Sequence, residues 1–433
     1  MKLFQQMLVA GASLSLIAPL AAQASDVVNL DEINSYTRSK SKSSRIDSNT
    51  FINEVNEDIA ILKGRVDGLE SRQNNYEAGG FSDTTTLDGK AVFAIGAIDC
   101  GTEVGKSEKL TASYVYQMNL NTSFTGDDNL YVRLKTGDGW VGVWDSKPGT
   151  YHIEATSYAN DLNVDKIWYT FPIGEKFTAT LGPKIENYYM LAATPSVYKP
   201  GVLKAFKLGG HSSAFGASTS TGFGLKYLAD NGFAASVTAT SKGGDDTNGL
   251  FTREDQNKIN AQVAYTDDNY HLSATYSTQR GWNSWSYYST NDVQSGAGTT
   301  ATKADSVALR AWWRPEETGT ATPSVSVGYD IINFTGHTGN VADASGYMVG
   351  LNWADMFQAD DKIGIAVGQP MKATSATAGN TLSEVDPFIW EAYYSFRPND
   401  SIEITPGIFG GTDVYDDTND DLFGAVVTTT FKF

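Results

Sequence analysis

From residue 86 onward the chain is cut into segments whose side chains alternate apolar and polar, and the connectors between them alternate short and long. A period of two marks a β-strand with two unlike faces. Sixteen such segments run from 86–98 to 423–433, separated by seven short turns and eight long loops. The short connectors carry hairpin chemistry: TGDD at 125–128, PIGEK at 172–176, ADNG at 229–232, TDDN at 266–269 and RPND at 397–400. Asn, Asp, Gly and Pro supply the tight bends there. An even strand count, with both ends on the short-turn side and strict alternation of connector length, predicts an antiparallel barrel closed in an outer membrane. A soluble sandwich has no need for every second loop to be long.

The last segment sharpens this expectation. Val427, Thr429, Phe431 and Phe433 share one face with Phe423 and Ala425, and the alternation runs to the terminal aromatic. An ordinary terminus frays, whereas a barrel needs its last strand to close against its first. The fold class expected is therefore all-β, a sixteen-stranded antiparallel transmembrane β-barrel over residues 81–433, preceded by a short periplasmic coiled-coil helix.

Composition agrees and excludes several functions. Mean hydropathy is −0.29 with 41% hydrophobic residues, and no apolar run after residue 24 approaches the roughly 18 residues of a spanning helix. Barrel strands escape that test because their two faces average out. With 32 Lys and Arg against 50 Asp and Glu, the net charge of −18 argues against nucleic-acid binding. Cys100 is the only cysteine, so neither an intrachain disulfide nor a cysteine metal cluster is expected. His152, His211 and His337 lie in connectors, and His271 has Ser273 beside it without a third orienting group. No phosphate-binding glycine loop or zinc spacing occurs, and the acidic loop 413–421 lacks calcium-loop spacing. No catalytic residue, metal or cofactor is expected.

The amino-terminal part divides into three. Residues 1–24 read as a signal peptide: Lys2, an apolar stretch at 7–20 and a small-x-small site at 22–24. Residues 25–50 read as a polar linker with a basic cluster, Arg38, Lys40, Lys42 and Arg45; it is either a solvated charge run or a contact for an acidic surface. In 51–76, Ile52, Val55, Ile59, Leu62, Val66 and Leu69 follow spacings of 3, 4, 3, 4 and 3. That is a coiled-coil seam, whose β-branched a positions favour two parallel strands, or else a stripe packed on its own chain.

Parity assigns the barrel faces. In 257–278, Ile259, Val263, Tyr265, Tyr270, Leu272 and Tyr276 point to lipid, and in 387–409 so do Trp390, Tyr394, Ile402 and Ile408. Pro406 is expected to mark a bulge or the strand's upper end. The same parity turns Arg133, Lys135, Lys166, Lys226, Arg310 and Arg314 inward, with Glu391 and Glu403. A charge facing lipid at mid-membrane costs roughly 2–4 kcal/mol, so the lumen is favoured. These eight are the pore-lining candidates; they set an ion preference, leaning to anions, or solvate the wall and pair with one another.

Four stretches carry a family resemblance: MKLFQQMLVA at 1–10, ILKGRVDGLE at 61–70, FSDTTTLDGKAVFAIGA at 81–97 and TTFKF at 429–433. They resemble the major outer-membrane porins of cyanobacteria, of the marine picocyanobacterial type, within the carbohydrate-selective porin family. The resemblance implies a homotrimer in outer-membrane lipid that passes small hydrophilic solutes and inorganic ions. Many relatives carry an S-layer-homology module that tethers the barrel to peptidoglycan, and 25–50 is too short to hold one. In sixteen-stranded porins the third long loop folds inward and narrows the pore. Here the third of eight is 184–220, which makes Lys184, Tyr188, Tyr189, Lys199, Lys204 and Lys207 constriction-loop candidates. The competing expectation is a structural outer-membrane protein anchoring the envelope to the cell wall.

Overall fold

The alternating segments become strands in the computed structural model. It describes residues 84–99, 109–138, 159–210, 219–243, 248–281, 303–336, 339–382, 385–413 and 421–433, together with 63, 65, 66, 152–154, 156, 214–215, 288–290 and 292–293. In chain order the strands are β1 (Thr85–Asp99), β2 (Thr111–Thr122), β3 (Asn129–Gly137), β4 (Asn163–Ile173), β5 (Phe177–Ile185), β6 (Ser220–Leu228), β7 (Phe233–Ser241) and β8 (Asn257–Thr266). They continue with β9 (Tyr270–Arg280), β10 (Lys303–Trp313), β11 (Ser324–Thr335), β12 (Val341–Ala354), β13 (Lys362–Ala376), β14 (Phe388–Asn399), β15 (Ile402–Thr412) and β16 (Leu422–Lys432).

Each strand pairs antiparallel with its neighbours in sequence, and β1 pairs with β16, so the sheet closes into a sixteen-stranded barrel without an edge. Val427 lies opposite Ile95, Thr429 opposite Phe93 and Phe431 opposite Ala91. The amide of Gly89 donates to the Phe433 carbonyl at 2.8 Å, and the Phe433 amide returns a bond to Gly89 at 3.2 Å. Gly89 lacks a side chain for a reason: a Cβ there would sit 2.6 Å from the Phe433 ring. The outward residues assigned in β8 and β9 are exposed on the barrel face, as a lipid-facing surface requires.

Two expectations need correction. Connector length does not alternate strictly. The β11–β12 loop, on the long side, is only 336–340, while β10–β11 on the short side spans 314–323. Pro315 and Pro323 flank the latter and cannot donate to a ladder, so both strands stop early. β12 begins five residues before the alternating pattern because a strand rising beyond lipid meets water on both faces and loses its period.

Pro406 marks neither a bulge nor a strand end. It sits inside β15 opposite Val427 of β16, and the β14 ladder passes from Tyr393–Gly407 to Phe396–Ile404 in unchanged register. The missing donor leaves a gap in the ladder, beside which Thr405 Oγ1 donates to Ser395 Oγ at 2.9 Å.

The amino-terminal unit, Met1–Ala78, is described only at Lys63, Arg65 and Val66, which are helical and exposed. The expected signal peptide, the linker and the other seam residues (Ile52, Val55, Ile59, Leu62 and Leu69) lie outside the described residues.

Inside the barrel the apolar core is built by the third long loop, hereafter L3 (186–219). Tyr198, Val202, Leu203, Ala205 and Phe206 pack with Ile98, Met348, Ile389, Tyr393, Phe409 and Val426 of the inner wall. Part of the fifth long loop joins them, with Tyr288 fully buried and the amide of Thr290 donating to Met371 at 3.0 Å.

Candidate functional site

L3 is fastened to the inner wall strand after strand by inward side chains that receive its backbone. The amide of Ala192 donates to Ser236 Oγ on β7 at 3.1 Å, that of Ala193 to Gln262 on β8 at 3.0 Å, and that of Tyr198 to Ser326 on β11 at 3.0 Å. The Lys199 amide meets Asn352 of β12 at 3.0 Å, and Tyr393 of β14 donates its hydroxyl to the Lys199 carbonyl. A buried loop must place its peptide groups somewhere, and this ladder of hydroxyls and amides receives them.

Two of the inward charges belong to the fastening. Glu391 is fully buried and accepts the amides of Gly201 (3.2 Å), Val202 (3.1 Å) and Leu203 (2.5 Å), with the Tyr198 hydroxyl at 2.7 Å. Arg310 donates to the carbonyls of Leu208 (2.9 Å) and Gly210 (2.8 Å) and pairs with Asp330 at 2.9 Å. Those carbonyls reach it because Leu208, Gly209 and Gly210 all have positive φ, at 62°, 76° and 107°. Glycine adopts that region freely; Leu208 is held there at a cost.

A second group of charges, Arg133, Lys135 and Lys166 among them, gathers between L3 and the β1–β4 wall. A bulge between β3 and β4 gives Asp165 no partner in the register, so Asp165 and Lys166 are both buried in succession. Arg133 pairs with Asp165, and Lys166 with Asp165 and Glu186. Lys90 of β1 reaches Glu154, from the second long loop, at 2.5 Å. Lys135, Lys204 and Lys207 complete the group, since Lys135 and Lys207 lie within electrostatic reach of Glu154, Arg133 and Lys204. Among the described residues, six cations thus gather about three carboxylates, with the Asp88 carboxylate near enough to act on Tyr131 beside them.

Burial acts to raise the Glu186 carboxyl, but the Lys166 ammonium overcomes it and holds the group at about 2. Burial likewise works against the Glu154 carboxylate, and Lys90 keeps it below the usual range. Lys207 is pushed down to about 8 by burial first and by Lys204 next. His152, depressed by burial to about 4, is neutral at pH 7. Its Nδ1 accepts the Glu154 amide at 3.1 Å, so the proton sits on Nε2, facing Thr428 Oγ1 at 3.3 Å.

Of the residues singled out from sequence, this charged cluster, hereafter the eyelet, brings together Arg133, Lys135, Lys166, Lys204 and Lys207 with Tyr188 and Tyr189. Lys226 is on the lumen side of β6 near its short-turn end, apart from them. Lys184 is exposed on β5 with Nζ donating to Val164 at 3.0 Å, and the Lys199 side chain is exposed. Arg314 is in the β10–β11 turn, where its Nε donates to the Asp268 carbonyl at 2.6 Å. Glu403 holds Arg397 at 3.2 Å and Lys432 at 2.9 Å. Parity missed Lys90 and Asp165, and Glu154 and Glu186 lie in connectors that have no period to read. The consecutive charges Asp165 and Lys166 were the visible signal, because two adjacent charges break a period of two. Among the described residues no cluster of metal-ligating side chains occurs. Among the described residues His271 bonds to Thr266 (2.7 Å) and Ser273 (2.9 Å) and stacks on Trp312.

Residues 44–433 match the family described as carbohydrate-selective porin, OprB family. An uncharacterized protein of Nostoc sp. is 26% identical over 420 residues, covering 88% of this chain and 71% of its own length. An uncharacterized protein of Synechocystis sp. is 25% identical over 396 residues, covering 81% and 69%. Among solved structures, OprB of Pseudomonas putida superposes with a TM-score of 0.55 at 13% identity, over 84% of this chain and 96% of that one. The loop L8 deletion mutant of OmpT from Vibrio cholerae gives 0.50 at 12% identity, over 81% and 100%. At such identities the structural likeness concerns the fold.

Proposed function

The chain belongs to the OprB family of carbohydrate-selective porins, outer-membrane channel proteins, and from that premise we propose a passive diffusion pore for small hydrophilic solutes and inorganic ions that leans toward anions. The observation that carries the lean is the eyelet, where Lys90, Arg133, Lys135, Lys166, Lys204 and Lys207 outnumber Glu154, Asp165 and Glu186. Fixed charge of one sign in a narrow passage raises the local concentration of the opposite ion. L3 sets the width on this reading, because its bound path along the wall from β7 to β14 fills that side of the lumen and leaves its charged side toward β1–β4.

The same reading makes the pore a homotrimer in outer-membrane lipid. The short-turn end of the barrel faces the periplasm on this reading. Planar-bilayer recording in a salt gradient tests it. Discrete conductance steps, grouped in threes, with a reversal potential on the anion side are expected. Cation preference left unchanged by Arg133→Ala and by Lys135→Gln removes the anion lean, and a silent bilayer with correctly folded protein removes the pore.

A further inference from the structure

Two cations singled out from sequence, Lys199 and Arg314, stand apart from the eyelet and meet at the short-turn mouth of the lumen. The β10–β11 connector, 314–323, is longer than any other at that end. A hairpin needs only about two to five connecting residues, and the surplus here forms a wall. With Lys199 of L3, the end of β12 and Lys362, the first residue of β13, it encloses a cleft of about 210 Å³.

The wall is held in place. The Gly319 amide, at φ 72°, donates to the Ala354 carbonyl at 2.9 Å, and Trp353 Nε1 donates to the Ala321 carbonyl at 2.9 Å. Asn269 Nδ2 fixes the Arg314 carbonyl at 3.1 Å. On the facing side the Lys199 amide meets Asn352 at 3.0 Å. Ser324 lies opposite Asn352, and Lys362 opposite Ala354, so the cleft shares the inward face that holds L3. It stands across the barrel from the β1–β4 wall of the eyelet.

Three of the lining side chains are cationic, Lys199, Arg314 and Lys362, and one is anionic, Glu317, which leaves a surplus of two positive charges. None of the three cations has an ion pair among the described residues. Glu403 is within electrostatic reach of Lys362 but is already held by Arg397 and Lys432. Arg314 gives its Nε to the Asp268 carbonyl, and among the described residues its two Nη groups donate to nothing. Thr320 and Thr322 add hydroxyls to the lining.

Cations carried by three separate elements repel one another, and a ligand with two negative charges compensates the surplus. A guanidinium presents paired N–H donors that match two oxygens of one oxyanion. Chloride offers charge without that geometry, and nitrate offers similar geometry with half the charge. We propose that Lys199, Arg314 and Lys362 form a binding site at the short-turn mouth for a small tetrahedral dianion of the phosphate or sulfate type. The site goes beyond the pore reading, since it is separate from the eyelet and holds its anion at equilibrium.

The test is calorimetric titration of the detergent-purified full chain with sulfate, inorganic phosphate and nitrate in turn, in dilute KCl. Saturable binding of one sulfate per chain is expected, with nitrate about tenfold weaker. Lys199→Gln and Lys362→Gln each raise the sulfate Kd about tenfold, because each removes a charge-assisted hydrogen bond. Glu317→Gln lowers it several-fold, a change of opposite sign that loss of structure does not produce. Lys135→Gln with Lys207→Gln, in the eyelet, leaves it unmoved. No saturation, equal binding of nitrate and sulfate, or binding lost with the eyelet pair and kept in Lys199→Gln and Lys362→Gln overturns the site. Should Lys362→Gln fail to fold, Lys199→Gln and Glu317→Gln, both at exposed side chains, still decide. A conducting pore without saturable sulfate refutes the site alone, and a silent bilayer refutes the pore reading while the binding result stands.

Discussion

Glu391 of β14 holds the amide of Leu203, 188 positions earlier in the chain, in a 2.5 Å hydrogen bond, and the same carboxylate receives the two amides before it. Carboxylates that accept backbone amides are among the stronger protein hydrogen bonds, each worth about 1.5–3 kcal/mol net. Glu391→Gln replaces one acceptor oxygen with a donor facing those amides. A loss of about 2 kcal/mol is expected in the guanidinium unfolding midpoint of the vesicle-inserted barrel. Glu391→Ala, which strands all three amides, should lose more and should make open-channel current noisier as L3 leaves the wall. An unchanged midpoint and a quiet current in both variants would show that L3 is held by its apolar contacts alone.

Gly328 of β11 is a second point of close approach. A Cβ there would lie 1.9 Å from the Gly209 carbonyl of L3, and the obstruction is backbone, which cannot swing aside. Gly328→Ala should therefore displace the 208–210 segment and weaken its grip on Arg310. Gly174, in the β4–β5 turn at φ 65° with nothing near its Cβ position, supplies the control. There Ala costs about 1 kcal/mol of backbone strain and leaves the lumen alone. Single-channel conductance separates them: Gly328→Ala alters it, Gly174→Ala does not.

Much of the barrel was legible, for a physical reason. A strand with lipid on one side and water on the other must alternate, so Ile259, Val263 and Tyr265 announced their face without neighbours. Legibility failed where that contrast ends. The first residues of β12, beyond the alternating stretch, are paired yet unpatterned. Parity also says that Arg310 and Glu391 point inward but not what they meet. Arg310 meets the Leu208 carbonyl 102 positions away, a contact set by the path of L3. The eyelet was half legible: Arg133, Lys135 and Lys166 follow parity or its break, whereas Glu154 comes from a loop with no period to read.

Conductance selectivity should depend on pH through Lys207. Burial and Lys204 lower its ammonium to about 8, against an ordinary 10.5. Raising the pH from 7 to 9 removes the Lys207 charge from the eyelet, so anion preference falls as pH passes through about 8. Reversal potentials in a fixed KCl gradient at successive pH values read this directly. Lys207→Gln should lessen the alkaline fall. Stability runs the other way: the folded state resists protonating this group, so its contribution is full above pH 10.5 and is lost as pH falls toward 8.

The Arg310–Asp330 pair offers the sharpest separation of structure from selectivity. Its arginine side chain is fully buried and its aspartate nearly so, at 2.9 Å. The remaining guanidinium donors are taken by carbonyls of Leu208, Gly210, Leu309 and Tyr329. Arg310→Met leaves Asp330 as an uncompensated buried charge and releases two L3 carbonyls, for an expected loss of about 3–5 kcal/mol. Asp330→Asn keeps the shape and costs less. If the two act as a pair, Arg310→Met with Asp330→Asn recovers part of the loss, a coupling of about 1–3 kcal/mol in a double-mutant cycle. Because the pair is neutral and lies on the far side of L3 from the eyelet, the double variant should retain the wild-type reversal potential. A shift toward cations in that variant would place Arg310 among the charges that select the permeant ion.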